Sequence, residues 1–195
     1  MTVLIADADD AGRLSQVIAD AFHDLPPSPW LIQDPVARRR IFPPYFRLFV
    51  EHTLAAGVVQ TTPARDAVAL WLPSDAVPPD DYGSRLESVT AGWTPRFVTF
   101  DEALDKHHPV GVAHHHLAIL AVRPDRQGLG IGSALLSAYH AGLGPGEPVY
   151  LEASCPRSRE LYLRHGYADR GEPYYLPDGP PMYPMWRAGS RPAVQ

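Results

Sequence analysis

Three glycines at alternate positions mark the segment of this 195-residue chain that is best suited to chemistry. The segment reads Gln127-Gly-Leu-Gly-Ile-Gly-Ser133, and it follows an apolar run at residues 117–122 that is typical of a strand buried on both faces. Glycines at such a turn allow the backbone to approach a ligand closely. A helix that begins here would present free N–H groups and the positive end of its dipole to an anion. The segment therefore predicts a site for a phosphate-bearing cofactor.

Two common phosphate-binding loops do not fit this segment. A Walker loop ends in Gly-Lys-Ser or Gly-Lys-Thr, whereas this loop ends in Gly132-Ser133 and has no lysine. A dinucleotide-binding loop has the spacing Gly-x-Gly-x-x-Gly and an acidic residue about 20 residues later on a second strand. The glycines here are spaced differently and lie past the middle of the chain. The remaining alternative to a ligand site is a glycine-rich helix start that serves packing alone.

The loop resembles the acyl-CoA-binding loop of the Gcn5-related N-acetyltransferase (GNAT) family. In that family a Gln/Arg-x-x-Gly-x-Gly/Ala pattern follows a strand that ends in Val-x-Pro, which here is Val122-Arg-Pro124. Farther along the chain, Leu151-Glu-Ala-Ser154 and residues 156–167 resemble the second half of the family signature. Three more segments resemble puromycin N-acetyltransferase-like members of the family, at residues 21–22, 67–71 and 114–117.

The resemblance implies the GNAT fold. This is an α/β architecture with a mixed, twisted sheet of six to seven strands, helices on both faces and two central parallel strands that splay apart. The splayed strands would be residues 117–122 and 149–154. A single acetyltransferase domain would cover residues 1–188, and residues 189–195 would form a loose tail.

The resemblance also implies acetyl-CoA as the co-substrate. Its pyrophosphate would bind the loop at residues 127–133, and its pantetheine arm would lie between the splayed strands, bonded to backbone as an added strand would be. The N–H of Val122 or of its neighbour would stabilise the oxyanion that forms at the thioester. The cofactor-binding residues expected on this basis are Leu120, Ala121, Val122, Gln127, Gly128, Leu129, Gly130, Ile131, Gly132 and Ser133.

Three side chains are candidates for proton transfer. The resemblance places Tyr162 where the tyrosine of the family meets the cofactor sulfur, and a phenol is protonated at pH 7. Glu152, on the second splayed strand, is the first candidate for the base. His116 is the alternative, since strand alternation puts it on the same face as Leu120 and Val122, and an imidazole titrates near neutrality. Each also has a purely structural interpretation. Tyr162 would be a core tyrosine, Glu152 would hold a neighbouring loop or arginine, and His116 would line a pocket wall.

The expected acceptor is the primary amine of a small molecule, which needs a walled pocket rather than an open groove. Prolines clustered at residues 26–29 and 173–184 indicate stiff connections that favour such walls. Trp30, Tyr174 and Tyr175 are the candidates for the walls. One aromatic stripe with helical spacing is expected to be mainly core: Phe42, Tyr45, Phe46 and Phe49.

The elements that must position these residues can be predicted along the chain. A first helix should be broken by the prolines at 26–29. Asp34-Pro35 is typical of a helix start, and this second helix should run to about Gly57 although Pro43 and Pro44 can disturb it. The expected strands are residues 3–6, 58–62, 67–72, 117–122, 149–154, 167–175 and 182–186, and the later helices are 82–91, 100–106, 131–142 and 156–165.

The composition limits the remaining classes of function. A formal net charge of −5 argues against a nucleic-acid partner, since such proteins usually carry a basic face. The sequence has no apolar run long enough to span a bilayer, and its first residues lack the basic start of a signal peptide. The single cysteine, Cys155, excludes an internal disulfide and fits a reducing compartment. We therefore expect a cytoplasmic protein that has no membrane partner. The resemblance to the GNAT family implies a monomer or a homodimer.

A metal site is considered because histidines are concentrated between residues 107 and 116. Imidazole is a common metal ligand. Adjacent residues of a strand point to opposite faces, however, so the triplet His114, His115 and His116 is not expected to converge on one ion. No metal is predicted.

The sequence thus predicts an acetyl-CoA-dependent N-acetyltransferase that acts on a primary amine of a small molecule by direct transfer in a ternary complex. An antibiotic-like metabolite is among the candidate acceptors. Two alternatives stay open at this point. One is a protein or peptide N-acetyltransferase, and the other is a non-catalytic sensor that binds acyl-CoA on the same fold.

Overall fold

The structure, a computed structural model, describes residues 1–189. Within that range the chain forms eight strands and seven α-helices. The strands are β1 (Leu4–Ile5), β2 (Val58–Thr61), β3 (Ala67–Pro73), β4 (His115–Val122), β5 (Val149–Ala153), β6 (Ala168–Asp169), β7 (Tyr174–Tyr175) and β8 (Pro181–Arg187). The helices are α1 (Ala11–Phe22), α2 (Pro27–Leu31), α3 (Pro35–Ala56), α4 (Tyr82–Thr90), α5 (Thr94–His107), α6 (Ile131–Ala141) and α7 (Pro156–Arg164).

The strands form one mixed sheet with the order β1-β2-β3-β4-β5-β8-β6, and β7 pairs with β8. β4 and β5 are parallel, whereas the other neighbours are antiparallel. The predicted fold class is therefore confirmed. The sheet has eight strands instead of six to seven, because the segment expected as one strand at 167–175 divides into β6 and β7. Most of the predicted tail, residues 190–195, lies outside the described residues.

Side chains of β3 show how the sheet separates two cores. Val68 and Leu70 point to one face, where they join a core built with α1, α3 and α5. Ala69 and Trp71 point to the other face and join a core built with α6 and α7. Strand residues alternate between faces, so a strand that is apolar throughout can serve both cores. We call these the α1–α3 face and the α6–α7 face.

The prolines at residues 27–29 and the pair Pro43-Pro44 lie within helices rather than in loops. α1 ends at Phe22, before the prolines, but Pro27 then begins the short helix α2, so residues 26–29 are not an irregular loop. α3 begins as predicted, with Pro35 in its first turn and the Asp34 side chain accepting from the N–H of Val36 at 2.9 Å. α3 also continues through Pro43 and Pro44, which lie towards solvent, where the carbonyls left without donors can meet water.

None of the helices within residues 1–189 combines the length and the apolar composition that a membrane span needs.

Gly57, which ends α3, packs directly against the backbone of β3. A Cβ atom built at this position would lie 2.0 Å from the carbonyl oxygen of Trp71 and 3.1 Å from its carbonyl carbon. These atoms belong to the backbone of Trp71, which is buried in the sheet, and they cannot move aside as a flexible side chain could. The absence of a side chain at Gly57 therefore allows α3 to lead directly into β2, which begins one residue later.

We predict that Gly57→Ala lowers the free energy of unfolding by about 1–3 kcal/mol, because the added methyl group must displace strand backbone. Urea unfolding followed by circular dichroism measures the change. Gly83→Ala in α4 is the matched control, since no atom lies within 4 Å of a Cβ built there. Alanine should leave α4 unchanged or stabilise it by up to about 1 kcal/mol. Equal stability of Gly57→Ala and the wild type would contradict the close packing.

Candidate active site

The glycine loop between β4 and α6 has the geometry of an anion site. Gly130 caps α6 in the left-handed region with φ of 75°, and Gly128 has φ of 79°. No atom lies within 4 Å of a Cβ built at either position, so the space in front of the loop is open. The N–H groups of the first turn of α6 have no partner inside the helix. The Gln127 side chain donates to the Val122 carbonyl at 3.0 Å and holds the loop to the end of β4.

β4 and β5 separate soon after they meet. Their parallel pairing consists of His115 with Val149 and His116 with Tyr150, whereas β4 continues to Val122. Along residues 117–122, the edge of β4 that faces β5 has no strand partner among residues 1–189. The splayed central strands that the sequence predicted are therefore present. Their separation leaves backbone N–H and C=O groups free to pair with an extended ligand.

A cavity of about 560 Å³ passes through this separation and reaches both faces of the sheet. On the α6–α7 face it is bounded by the glycine loop and by Leu161 and Tyr162 of α7. On the α1–α3 face it is bounded by residues of α1, α2, α3 and α5. A ligand bound at the loop and a second ligand among the helices of the opposite face would thus share one continuous space.

Nine of the ten predicted cofactor residues line this cavity. The exception is Leu129, whose side chain points into solvent with 63% of its surface exposed. Gly132 faces Leu120, Val122 and Leu161, whose side chains lie 3.7 Å from a Cβ built on it. The nine lining residues are Leu120, Ala121, Val122, Gln127, Gly128, Gly130, Ile131, Gly132 and Ser133.

Three arginines that the sequence analysis did not select also line the cavity. They are Arg126 in the turn after β4, and Arg157 and Arg164 of α7. Arg126 is held by the Asp66 carboxylate, with 3.1 Å between Nε and Oδ2. Guanidinium groups match phosphate in charge and geometry. Their positions, directly before the glycine loop and in the first and last turns of α7, were the signal that could have identified them.

Tyr162 lies on α7 at the wall of the cavity and is otherwise buried, with 7% of its surface exposed. Burial raises the pKa of its phenol above the ordinary value, and the nearby Cys155 adds to the rise. The phenol therefore keeps its proton over the whole neutral range. It could donate that proton to a leaving group in the cavity.

Glu152 faces the α1–α3 side of the cavity from β5, and its side chain is 6% exposed. Its Oε1 accepts a hydrogen bond from the Tyr150 hydroxyl at 2.6 Å, and its Oε2 lies 3.5 Å from Nε2 of His116. Burial, followed by the charge of Glu152, raises the pKa of the Tyr150 phenol, which keeps it a donor. Tyr150 was not selected from the sequence, although its alternation with Glu152 on one strand places the two on one face.

The predicted face of His116 is wrong. Leu70 pairs with Ile119 and Trp71 pairs with Leu117, so Ala118 is an extra residue that forms a β-bulge. A bulge reverses the alternation beyond it. His116 consequently points away from the face of Leu120 and Val122, and it lies beside Glu152 instead. It still lines the cavity, and its buried Nε2 has no hydrogen-bond partner among the described residues.

Two further histidines, His108 and His114, form a cluster with His116. His108 packs against His116 with 4.9 Å between ring centroids, and Nε2 of His108 lies 3.2 Å from Nε2 of His114. Burial, followed by the charge of His116, lowers the pKa of His108 to about 4, and burial lowers the pKa of His114 as well. Both rings are therefore neutral at pH 7.

The histidine group does not form a metal site. His115 points to the opposite face, where its Nδ1 lies 2.9 Å from the Tyr139 hydroxyl. Across the part of the chain that the structure describes, no group of three or more His, Cys, Asp or Glu side chains is arranged to hold a metal ion.

None of the three predicted pocket walls is among the described residues that line the cavity. Trp30 is not part of the lining formed by residues 1–189, because its indole N–H donates to the Pro177 carbonyl at 2.8 Å and holds that loop. Tyr175 is 69% exposed and also lies outside the lining. Tyr174 is buried behind the lining and stacks on His107, with a hydroxyl whose pKa is raised by burial and then by the charge of Glu152.

The aromatic stripe of α3 serves both the core and the cavity. Phe42 is fully buried in the core, as expected. Tyr45, Phe46 and Phe49 line the cavity on the α1–α3 face. The structure thus places the glycine loop, the free edge of β4, the protonated phenol of Tyr162 and the carboxylate of Glu152 around one cavity.

The chain resembles known proteins in both sequence and fold. Residues 97–169 match the family model of the acetyltransferase (GNAT) domain. A Corynebacterium glutamicum protein described as histone acetyltransferase HPA2 and related acetyltransferase is 30% identical, with a TM-score of 0.74 over 99% of this chain and 98% of that one.

Two more distant structures share the fold. Arylalkylamine N-acetyltransferase 2 from Aedes aegypti is 12% identical over 96% of this chain and 98% of its own, with a TM-score of 0.64. A polyamine N-acetyltransferase from Drosophila melanogaster is 15% identical over 96% of this chain and 100% of its own, with a TM-score of 0.60. The match to the Corynebacterium protein over nearly the whole of both chains, together with the match to the family model, shows that the chain belongs to the GNAT acetyltransferase family and is an acyltransferase.

Proposed function

We propose that this protein is an acetyl-CoA-dependent N-acetyltransferase that acts on the primary amine of a small molecule, by direct transfer within a ternary complex. The observation that carries the proposal is the single cavity that crosses the sheet between β4 and β5. One end has donors and cations suited to phosphate, and the other end has a carboxylate among helices. Two substrates can therefore meet without a covalent enzyme intermediate.

The residues of the α6–α7 face fit the cofactor. The first-turn N–H groups of α6 and the three arginines would hold its phosphates, and the free edge of β4 would pair with its pantetheine arm. When bound, acetyl-CoA supplies a thioester as the acyl donor. The backbone N–H of Val122 or its neighbour would stabilise the oxyanion.

Proton transfer is divided between the two faces. Glu152, aligned by the Tyr150 hydroxyl, would take a proton from the incoming ammonium, and His116 beside it is the alternative base. Tyr162 would give its proton to the departing thiolate. Cys155 also lines the cavity, but its Sγ is hydrogen-bonded to the Ser158 hydroxyl at 3.4 Å, which is not a base. This supports direct transfer over an acetyl-cysteine intermediate.

The helices α1, α2, α3 and α5 close the acceptor end, which supports a small molecule over a peptide laid in a groove. The Corynebacterium relative is described as a histone acetyltransferase, so a protein amine is the second candidate. An antibiotic-like acceptor, suggested by the likeness to puromycin N-acetyltransferase, is one form of the small-molecule proposal.

We predict that Tyr162→Phe lowers kcat by about 10- to 1000-fold while acetyl-CoA still binds, because the variant keeps the ring and loses the proton. Thiol release measures kcat, and calorimetry measures binding. Tyr167→Phe is the matched control, since Tyr167 is another buried tyrosine of the same core, with its ring 5.6 Å from that of Tyr162. It should keep kcat near the wild-type value. Wild-type turnover in Tyr162→Phe would exclude the phenol as the acid.

Glu152→Gln should lower kcat by about 100- to 10,000-fold, because an amide of the same shape cannot accept the proton of the ammonium. Initial rates at saturating acetyl-CoA test this. Glu147→Gln is the control, since Glu147 is a half-exposed carboxylate paired with His115 on the other face, 3.5 Å away. If both glutamine variants retain full rates, the base is another group, and His116→Gln becomes the next variant to measure.

The proposed function itself is tested by thiol release from acetyl-CoA with a panel of amines: puromycin, an aminoglycoside, a polyamine and a peptide with a free N-terminus. Turnover with a small amine and none with the peptide is the expected result. Turnover with the peptide alone would establish the protein acetyltransferase instead. Acetyl-CoA binding without turnover on any amine would favour a sensor.

A further inference from the structure

We infer that the acceptor is a primary monoamine with an apolar tail, an inference that rests on the proposed function. The amine head would lie at Glu152 and the tail among the aromatic side chains of the α1–α3 face. The class excludes polyamines, aminoglycosides and other acceptors with a second cationic group along the tail. The argument follows from the distribution of charge in the acceptor end of the cavity.

The acceptor end has one anionic anchor. Of the described residues that line the cavity, Glu152 is the one carboxylate. The Tyr150 hydroxyl occupies its Oε1, while its Oε2 is turned towards His116. Nε2 of His116 is buried and has no hydrogen-bond partner within residues 1–189. A single amine nitrogen can therefore bond to the carboxylate and to this ring nitrogen, whereas the described lining offers no second carboxylate to another cation. A carboxylate behind the wall, that of Asp101, already accepts a hydrogen bond from the Tyr82 hydroxyl at 2.8 Å.

The walls beyond this anchor are apolar. Phe22 and Phe46 meet edge to face with 5.5 Å between ring centroids, and Tyr45 and Phe49 do so at 5.1 Å. Phe100 and neighbouring aliphatic side chains complete the walls. Such rings offer apolar surface to an alkyl group and edge-to-face contacts to an aryl group.

The polar groups in these walls are neutral. The Ser28 hydroxyl already donates to the Phe22 carbonyl at 2.5 Å. Burial raises the pKa of the Tyr45 phenol, so it carries no charge. An unpaired ammonium moved from water into such surroundings loses far more solvation than one hydroxyl can return. A diamine of the same length as a good monoamine substrate should therefore be a poor one.

The first test compares hexylamine with 1,6-diaminohexane, and octylamine with 1,8-diaminooctane, by thiol release from acetyl-CoA with the full-length protein. We expect kcat/KM for each apolar monoamine to exceed that of its diamine partner by about 100-fold or more. Equal values, or better turnover of the diamines, would overturn the inference while leaving the acetyltransferase in place.

The second test places a carboxylate in the wall. Phe49→Glu should raise the ratio of kcat/KM for 1,6-diaminohexane to that for hexylamine by at least about 10-fold, because the second ammonium gains a partner. Phe49→Leu is the matched control and should leave the ratio unchanged. Thermal unfolding shows whether Phe49→Glu folds, and if it does not, the comparison of amines on the wild type decides alone. An unchanged ratio in a folded Phe49→Glu variant would contradict the placement of the tail.

Calorimetry separates failure of the inference from failure of the proposed function. The protein saturated with CoA is titrated with hexylamine and with 1,6-diaminohexane. Binding of hexylamine without turnover of any amine would overturn the acetyltransferase and keep the apolar monoamine site. Turnover of polyamines or aminoglycosides without binding of hexylamine would overturn the apolar monoamine site and keep the acetyltransferase.

Discussion

The separation of β4 from β5 is the constraint on which the rest of the site depends. The two strands pair only at His115 with Val149 and His116 with Tyr150. Each is nevertheless secured on its outer side, β4 by seven residue pairs with β3 and β5 by five with β8. The sheet can therefore remain open at its centre without losing cohesion. That opening supplies both the free backbone edge and the passage between the two faces.

A single extra residue determines which side chains meet in the opening. Ala118 forms the bulge that turns His116 away from the face of Leu120 and towards Glu152. Without it, His116 would lie on the same face as Leu120 and Val122, away from Glu152. Local backbone irregularity thus brings carboxylate, phenol and imidazole into one group.

The sequence predicted the parts of the molecule that depend on local signals. The fold class, the family and the acyltransferase class are confirmed, and the splayed strands and the glycine loop lie where they were expected. Strand alternation could not predict the face of His116, because a bulge depends on pairing with a distant strand. Trp30 was misjudged for a similar reason, since its partner Pro177 comes from the far end of the chain. The roles of Tyr162, Glu152 and His116 in catalysis stay predictions.

The two ends of the cavity are lined by different parts of the sequence. The glycine loop, the open strands and Tyr162 all come from residues 115–164, whereas most of the acceptor walls come from α1, α2 and α3, far earlier in the sequence. On the proposed function, substitutions in these three helices would reshape the acceptor end without altering any residue proposed to bind or activate acetyl-CoA. A change of acceptor would therefore require substitutions in a different part of the chain from those that would alter the chemistry. A family that keeps one reaction can in this way acquire many acceptors by change in its N-terminal third.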